Sequence, residues 1–381
     1  MTEPFVPVSL SPSSAPDALP SPWPALAALR LPSTVAEALA FAEELSLQRA
    51  VPGDGRTREL FEALGTLACH DLAVARAAEP HLDAHAILRQ SGIDPGARGT
   101  WGVFASEGGE PLVVERSNDT WQVTGTKQWC SLAGQLDMAL VTAIVAPEAG
   151  SGGSGSGGSG SATGPGERRL FGVRLRDPGI TVERGAWHAR GLTEVESGPV
   201  HFDRVDALPI GAPGWYLERP GFSWGAIAVA ACWFGGAVGL ARTLFESVSP
   251  DSSVSPVSRA SSSSPASPGI SPFALMHLGR VDALLEDSRR ALLEAAERID
   301  DGRATGPEGR LLAKRVRATV ARASEEILLR VGHALGPAPL ALDAAHAKRV
   351  ADLTLYLRQH HAEKDDASLG STVAALGTPP W

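Results

Sequence analysis

Cysteine is scarce in this chain. Its three cysteines, Cys69, Cys130 and Cys232, are odd in number and far apart. They suit neither a disulfide framework nor metal-ligand spacing, so no metal site is expected and a cytoplasmic, reducing setting is. Positive charge is also in deficit. The formal net charge is −9 with a pI near 5.6, which argues against broad nucleic-acid binding. The opening residues lack a basic stretch followed by an apolar core, so no signal peptide is expected. The longest apolar run, residues 226–240, falls short of the ~20 residues a membrane-spanning helix needs, and no membrane partner is expected. Core material is ample. With 43% hydrophobic and 20% charged residues, the 381 positions suit two or three globular domains.

Residues 1–24 are dominated by Pro and Ser and read as a disordered leader. A helical domain is expected over 25–97. Thr34-Val35-Ala36-Glu37 has the capping-box form. Leu60, Phe61, Leu64 and Leu67 recur at helical spacing. Helix should continue over 72–78, break at Glu79-Pro80-His81, and resume over 82–88, with the titratable groups from Glu79 to His85 at a surface break or, as the lesser alternative, in contact with a pocket. Asp94-Pro95-Gly96 is a turn signal, after which the period changes from helical to alternating. Short strands are expected at 101–104, 112–116, 120–123, 138–145, 170–175, 180–183 and 199–202, the pattern of a sandwich or small barrel over 98–212. Residues 224–248 are apolar nearly all round, which predicts a buried helix. Its Gly235, Gly236 and Gly239 permit close approach of another backbone or of a cofactor. Helices over 275–299, 310–335 and 342–364 complete an antiparallel four-helix bundle over 213–370, followed by a tail at 371–381. The Gly/Ser tract 149–166 and the Ser/Pro tract 250–268 read as flexible loops.

The stretch Gly125-Thr126-Lys127-Gln128-Trp129-Cys130-Ser131 reads as a turn leading into a strand. In a strand, Trp129 and Ser131 point to the same side. An aromatic plane beside a hydroxyl is a wall for a flat, polar-edged cofactor, and equally a core Trp beside a solvated Ser. The stretch resembles the Gly-x-Lys-x-Trp-Ile-Thr run of the acyl-CoA dehydrogenase family. Trp101-Gly102-Val103-Phe104-Ala105-Ser106-Glu107 is similar to that family's strand running into Thr-Glu-Pro. Trp187-His188-Ala189-Arg190-Gly191-Leu192-Thr193, followed by Val200-His201-Phe202-Asp203-Arg204-Val205, is similar to its Gly-Met-Arg-x-Thr block and closing strand. The resemblance implies an α+β multidomain fold: an N-terminal α-helical domain, a central β-sandwich or barrel-like domain, and a C-terminal four-helix bundle. It implies non-covalent FAD, with Ala105, Ser106, Trp129 and Ser131 at the isoalloxazine and His333 and Gly336 toward the adenine and pyrophosphate. It also implies a homodimer or homotetramer and oxidoreductase action on the CH–CH group of a small molecule such as an acyl-CoA.

The chain also departs from that pattern. Gly108-Gly109-Glu110-Pro111 stands where the family has a longer thioester-touching loop, and reads equally as a hairpin turn. The family's pyrophosphate-binding Arg has no aligned counterpart, Arg259 lying in the Ser/Pro tract. The family's catalytic Glu is not matched. Anchored on Arg349 or on Tyr356, its place on the last long helix falls to Arg358 or Leu357, and its alternative place falls near Val229. An arginine is no general base near neutral pH. His360 or His361 continues the inner stripe of Val350, Leu353 and Leu357, which puts one imidazole toward the pocket as the candidate catalytic group. A polar helix end with histidine on the helix dipole accounts for the same residues. Three functions follow. The first is an FAD-dependent oxidoreductase on an acyl-thioester or related substrate with a relocated base. The second is a flavin-dependent monooxygenase of the same fold, which needs no such Glu. The third is a non-catalytic paralogue used for assembly or ligand binding. The substrate, and the electron acceptor or flavin reductase, stay open.

Overall fold

A computed structural model of the chain describes residues 6–11, 30–48, 51–96, 99–106, 108–117, 120–146, 167–249 and 270–381. Most of the leader, the Gly/Ser and Ser/Pro tracts, Glu107 and Arg259 lie outside these residues. Residues 6–11 do not behave as leader. Val8 and Leu10 are buried, Val8 N–H donates to Thr66 Oγ1 at 3.0 Å, and Leu10 N–H donates to the Glu62 carboxylate at 2.7 Å. Alternating apolar residues and a waiting pair of acceptors tie the segment down, whatever its Pro/Ser surroundings suggest.

The first helices are α1 (Val35–Leu47), α2 (Thr57–His70) and α3 (Leu72–Gln90). Thr34 caps α1 by accepting from Glu37 N–H, and the Glu37 carboxylate accepts from Ser33 N–H. The expected break at Glu79-Pro80-His81 does not occur. Pro80 sits inside α3, and Glu79, His81 and His85 are buried rather than at the surface. An interior proline costs ~3 kcal/mol. Burial of Leu82, Ile87 and Leu88 on the far side of it contributes about 1.5–3 kcal/mol each, so the continuous helix wins.

The strands are β1 (Trp101–Phe104), β2 (Leu112–Ser117), β3 (Thr120–Ser131), β4 (Met138–Val145), β5 (Arg168–Arg174), β6 (Ile180–Val182) and β7 (Ser197–Ile210). One edge of β4 takes β1 and then β2, both parallel, and the other takes β5. β2 continues through β3 and β7 back to β5, so the sheet closes on itself, with β6 added to β7. β4 is apolar except for Thr142, as suits a strand buried from Ala139 to Ala143. Because β1 and β2 both pair with β4 and not with each other, residues 108–111 are a connection and not a hairpin turn.

Gly125-Thr126-Lys127 is not a turn either. β3 is one long strand whose register against β7 slips twice. At the first slip the extra residue is Arg204 of β7, at φ +51°; at the second it lies in β3, where Trp129 takes φ +62°.

The later helices are α4 (Trp215–Glu218), α5 (Pro220–Val248), α6 (Pro272–Asp300), α7 (Gly306–Leu335), α8 (Pro337–Leu342), α9 (Ala344–Tyr356) and α10 (Glu363–Ala374). α5 is long and apolar enough to cross a membrane, yet most of that stretch is buried against α2, α6 and α7. The glycine approach at Gly235 is to another backbone: a methyl there would clash with the carbonyl of Gly65 in α2. The expected helix over 342–364 is interrupted. After α9 comes a short 3-10 turn, Leu357–Gln359, then extended His360, then Ala362 at φ +44° before α10 begins.

Candidate functional site

Trp129 is the outlier of the sheet. Its left-handed backbone swings the indole outward and leaves it 63% exposed, while Cys130 beside it is buried. Gly108 lies against it, for a methyl there would stand 3.1 Å from Trp129 Nε1. Gly108 N–H also approaches Ser106 Oγ at 3.5 Å. Gly108 thus links exposed Ser106 to the Trp129 indole, with half-buried Ala105 preceding Ser106. Ser131 is half-buried and shares a 2.7 Å hydrogen bond with Ser197.

Ser131 also accepts from Arg76 Nη2 of α3 at 3.0 Å. That contact leads inward to residues the sequence reading missed. The Arg76 guanidinium stands 5.8 Å over the ring of Tyr356, the last residue of α9. Tyr356 meets Trp233 of α5 edge-on at 6.3 Å. The Arg317 guanidinium of α7 stacks on Trp233 at 4.6 Å and donates to the carbonyls of Ala226 and Gln359. One turn beyond Arg76, the Glu79 carboxyl is buried among these groups. Burial pushes its pKa up to about 8, helped by the like charge of Asp83 and opposed by Arg76 and Arg317. Near neutral pH it holds its proton. Asp83 pairs with Arg219 at 3.6 Å, one turn further on. The signal was there as the i, i+3, i+7 spacing of Arg76, Glu79 and Asp83, but only burial turns it into a site.

The C-terminal candidates separate. His360 is buried beside Trp233, ring centroids 6.3 Å apart, and burial lowers its pKa although Asp365 lies 3.9 Å away. His361 is exposed and reaches Asp365 on the outside at 3.6 Å. The helix break after Gln359 makes this choice, which the helical stripe left open. Leu357 is buried, and Arg358 faces outward in an ion pair with Glu325. Neither residue at the usual Glu place offers a base. Val229 is half-buried on α5. His333 and Gly336 form a separate group at the C-terminus of α7, where exposed His333 meets His277 edge-on at 6.1 Å and Gly336 ends the helix at φ +67°. Among the described residues no cluster of three metal-ligating side chains occurs.

The block from Trp187 to Leu192 closes onto α9. Trp187 Nε1 donates to Leu192 O at 3.0 Å, and Leu192 N–H donates to the buried Asp352 carboxylate at 2.5 Å. Lys348 bridges Asp352 at 2.6 Å and Asp71, the cap of α3, at 3.0 Å. This ion cluster fixes the sheet, α3 and α9 in one arrangement, and with them Ser131, Arg76 and Tyr356.

No protein-family profile and no curated protein matches the sequence. FMN-bound TdsC from Paenibacillus sp. A11-2 is similar in structure, with a TM-score of 0.70 at 18% identity over 91% of each chain. Butyryl-CoA dehydrogenase from Megasphaera elsdenii gives 0.67 at 13% identity over 92% of this chain and 100% of that one. The chain has the acyl-CoA dehydrogenase fold. KijD3, solved with FMN and a dTDP-sugar, shares it at a TM-score of 0.68 and 18% identity, over 90% of this chain and 86% of that one. Within the acyl-CoA dehydrogenase fold, then, the chain keeps an exposed Trp beside a Ser and carries no carboxylate at Leu357 or Arg358.

Proposed function

We propose that this chain is a flavin-dependent oxidoreductase of a small organic substrate, with the isoalloxazine ring seated against Trp129. The outward, left-handed indole carries the reading. Leaving so large an aromatic in water forgoes about 1.5–3 kcal/mol of burial, which a stacked ring recovers. The surroundings fit the group: a plane at Trp129, hydroxyls at Ser131 and Ser106, no side chain at Gly108, and the Arg76 cation behind Ser131. The cavities beside Lys127 and beside Cys130 measure only about 100 and 80 Å³, and the Trp129 indole is exposed, so the seat in one chain is an open face. A homodimer or homotetramer would cover it.

A bound flavin would supply the two-electron redox centre. The chain supplies charge and protons around it. Arg76 favours negative charge developing near Ser131. Glu79, one turn deeper, is the nearest protonated carboxyl to that contact on α3. Leu357 and Arg358 leave the usual place of the dehydrogenase base without a carboxylate, which favours a monooxygenase over α,β-dehydrogenation of an acyl-thioester.

The test is the visible spectrum of the purified protein, with the released flavin identified by chromatography. A flavin spectrum is expected, FAD or FMN being decided by the chromatogram, and Trp129→Ala should weaken its retention. Anaerobic reduction by an acyl-CoA would favour the dehydrogenase. A colourless protein that takes up neither FAD nor FMN would refute both enzymatic readings and leave a non-catalytic scaffold.

A further inference from the structure

Lys127 is the unusual member of β3. Its side chain is only 5% exposed, and its ammonium reaches Thr142 alone, at 2.8 Å to Oγ1 and 3.3 Å to the carbonyl. Among the described residues no carboxylate pairs with it. The neighbouring Cys130 is no counter-ion, because burial pushes its thiol pKa up to about 12. Burial in turn lowers the pKa of Lys127. An ammonium taken out of water without an opposite charge is costly, and such groups are ordinarily paired. Lysine has three donors, and Thr142 uses two of them.

Lys127 lines a cavity of about 100 Å³ together with Ser106, Gly108, Gly109, Thr142 and Arg168. That volume holds about three waters, or one small oxyanion in their place. Glu110, the carboxylate among the lining residues, stands on the exposed side of the connection. Gly108 is shared between this cavity and the Trp129 face. We infer that this cavity binds a small oxyanion, a carboxylate or a phosphoryl group, on Lys127 Nζ and Ser106 Oγ. The anion completes the donor set of Lys127 and supplies its missing counter-charge. This inference rests on the cavity and its lysine, although Ser106 and Gly108 are shared with the proposed flavin seat.

The chain has four lysines, Lys127, Lys314, Lys348 and Lys364, so a protein isotope-labelled at the lysine ε-carbon gives a readable NMR spectrum. The full chain is titrated with acetate and, separately, with inorganic phosphate, each against potassium chloride of equal ionic strength. One signal is expected to move saturably, and it is the signal missing from Lys127→Arg. Saturation by acetate alone marks a carboxylate site, and by phosphate alone a phosphoryl site. In Lys127→Gln, the anion concentration that raises the melting temperature by half its full extent should increase about tenfold or more. If neither Lys127 variant folds, Lys314→Arg and Lys364→Arg identify two signals. The remaining two separate by pH, since Lys127 titrates below its ordinary value and Lys348 above it. No signal moving beyond the chloride control overturns the inference, as does a moving signal that belongs to Lys314, Lys348 or Lys364.

Discussion

His81 and His85 make the chain acid-sensitive at one place. The two rings lie 4.4 Å apart on buried faces of α3. Trp101 N–H donates to His81 Nδ1 at 3.2 Å. Among the described residues no partner reaches His81 Nε2 or either nitrogen of His85. Burial lowers the pKa of His81 from 6.5 to about 3, helped by His85, and that of His85 to about 4, helped by Arg89. Both are neutral in the folded state. Their stabilisation is fully present above 6.5 and is lost as pH falls from there toward the folded values, since the unfolded chain takes up protons first. Near pH 5 the loss is about 2 kcal/mol for His81. For His85, more screened by solvent, about 1 kcal/mol is a fair share. Together that is a factor of more than about a hundred in the folding equilibrium.

Urea unfolding at several pH values measures it, with His81→Gln/His85→Leu as the comparison. Glu79 works in the opposite direction. Its raised pKa adds stability below 4.5 that is lost as pH rises through about 8. Only the difference between wild type and double variant therefore isolates the histidines. That difference should shrink by about 3 kcal/mol between pH 7 and 5. Parallel pH curves for the two proteins would refute the reasoning.

Gly235→Ala should lower the melting temperature, at a cost of about 1–3 kcal/mol, because α2 and α5 must separate at Gly65; a Tm scan checks it. Glu79→Gln replaces the buried carboxyl with a neutral isostere, so it should flatten the stability loss expected of wild type as pH rises from about 4.5 to about 8, with calorimetry as the measurement. Asp352→Ala should cost about 1–3 kcal/mol by leaving the buried Leu192 N–H without its acceptor, Lys348 keeping Asp71 and Glu194, read as a shift in the urea midpoint. Trp129→Ala, on an exposed site, should leave the Tm nearly unchanged while weakening flavin retention, seen by absorbance after gel filtration.

Much of the chain was legible from its residues because local period decides an element and its face. The seven strand positions were read from alternation, and the α1 cap from Thr34 and Glu37. The buried character of α5 followed from an apolar run with no polar side. Trp129 and Ser131 were picked out together, and the fold places Gly108 beside the first and Arg76 on the second. What was misread involved continuity. Pro80 and Gly125 are ordinarily breakers, but a breaker costs a few kcal/mol and neighbouring burial can exceed that. α3 therefore runs on, and β3 absorbs its irregularity as slips in register.

The sequence by itself determined where most helices and strands lie, which of their faces are apolar, and that an aromatic and a hydroxyl stand at one strand end. Those are properties of neighbours along the chain, set by backbone geometry and repeat period. Only the tertiary structure decided that Arg76 reaches Ser131 across 55 residues of chain, and that Glu79 and Lys127 lie away from water. It alone chose His360 over His361 for the interior. Burial and charge pairing are made by segments distant in sequence, and desolvation depends on what finally packs over a group rather than on what precedes or follows it.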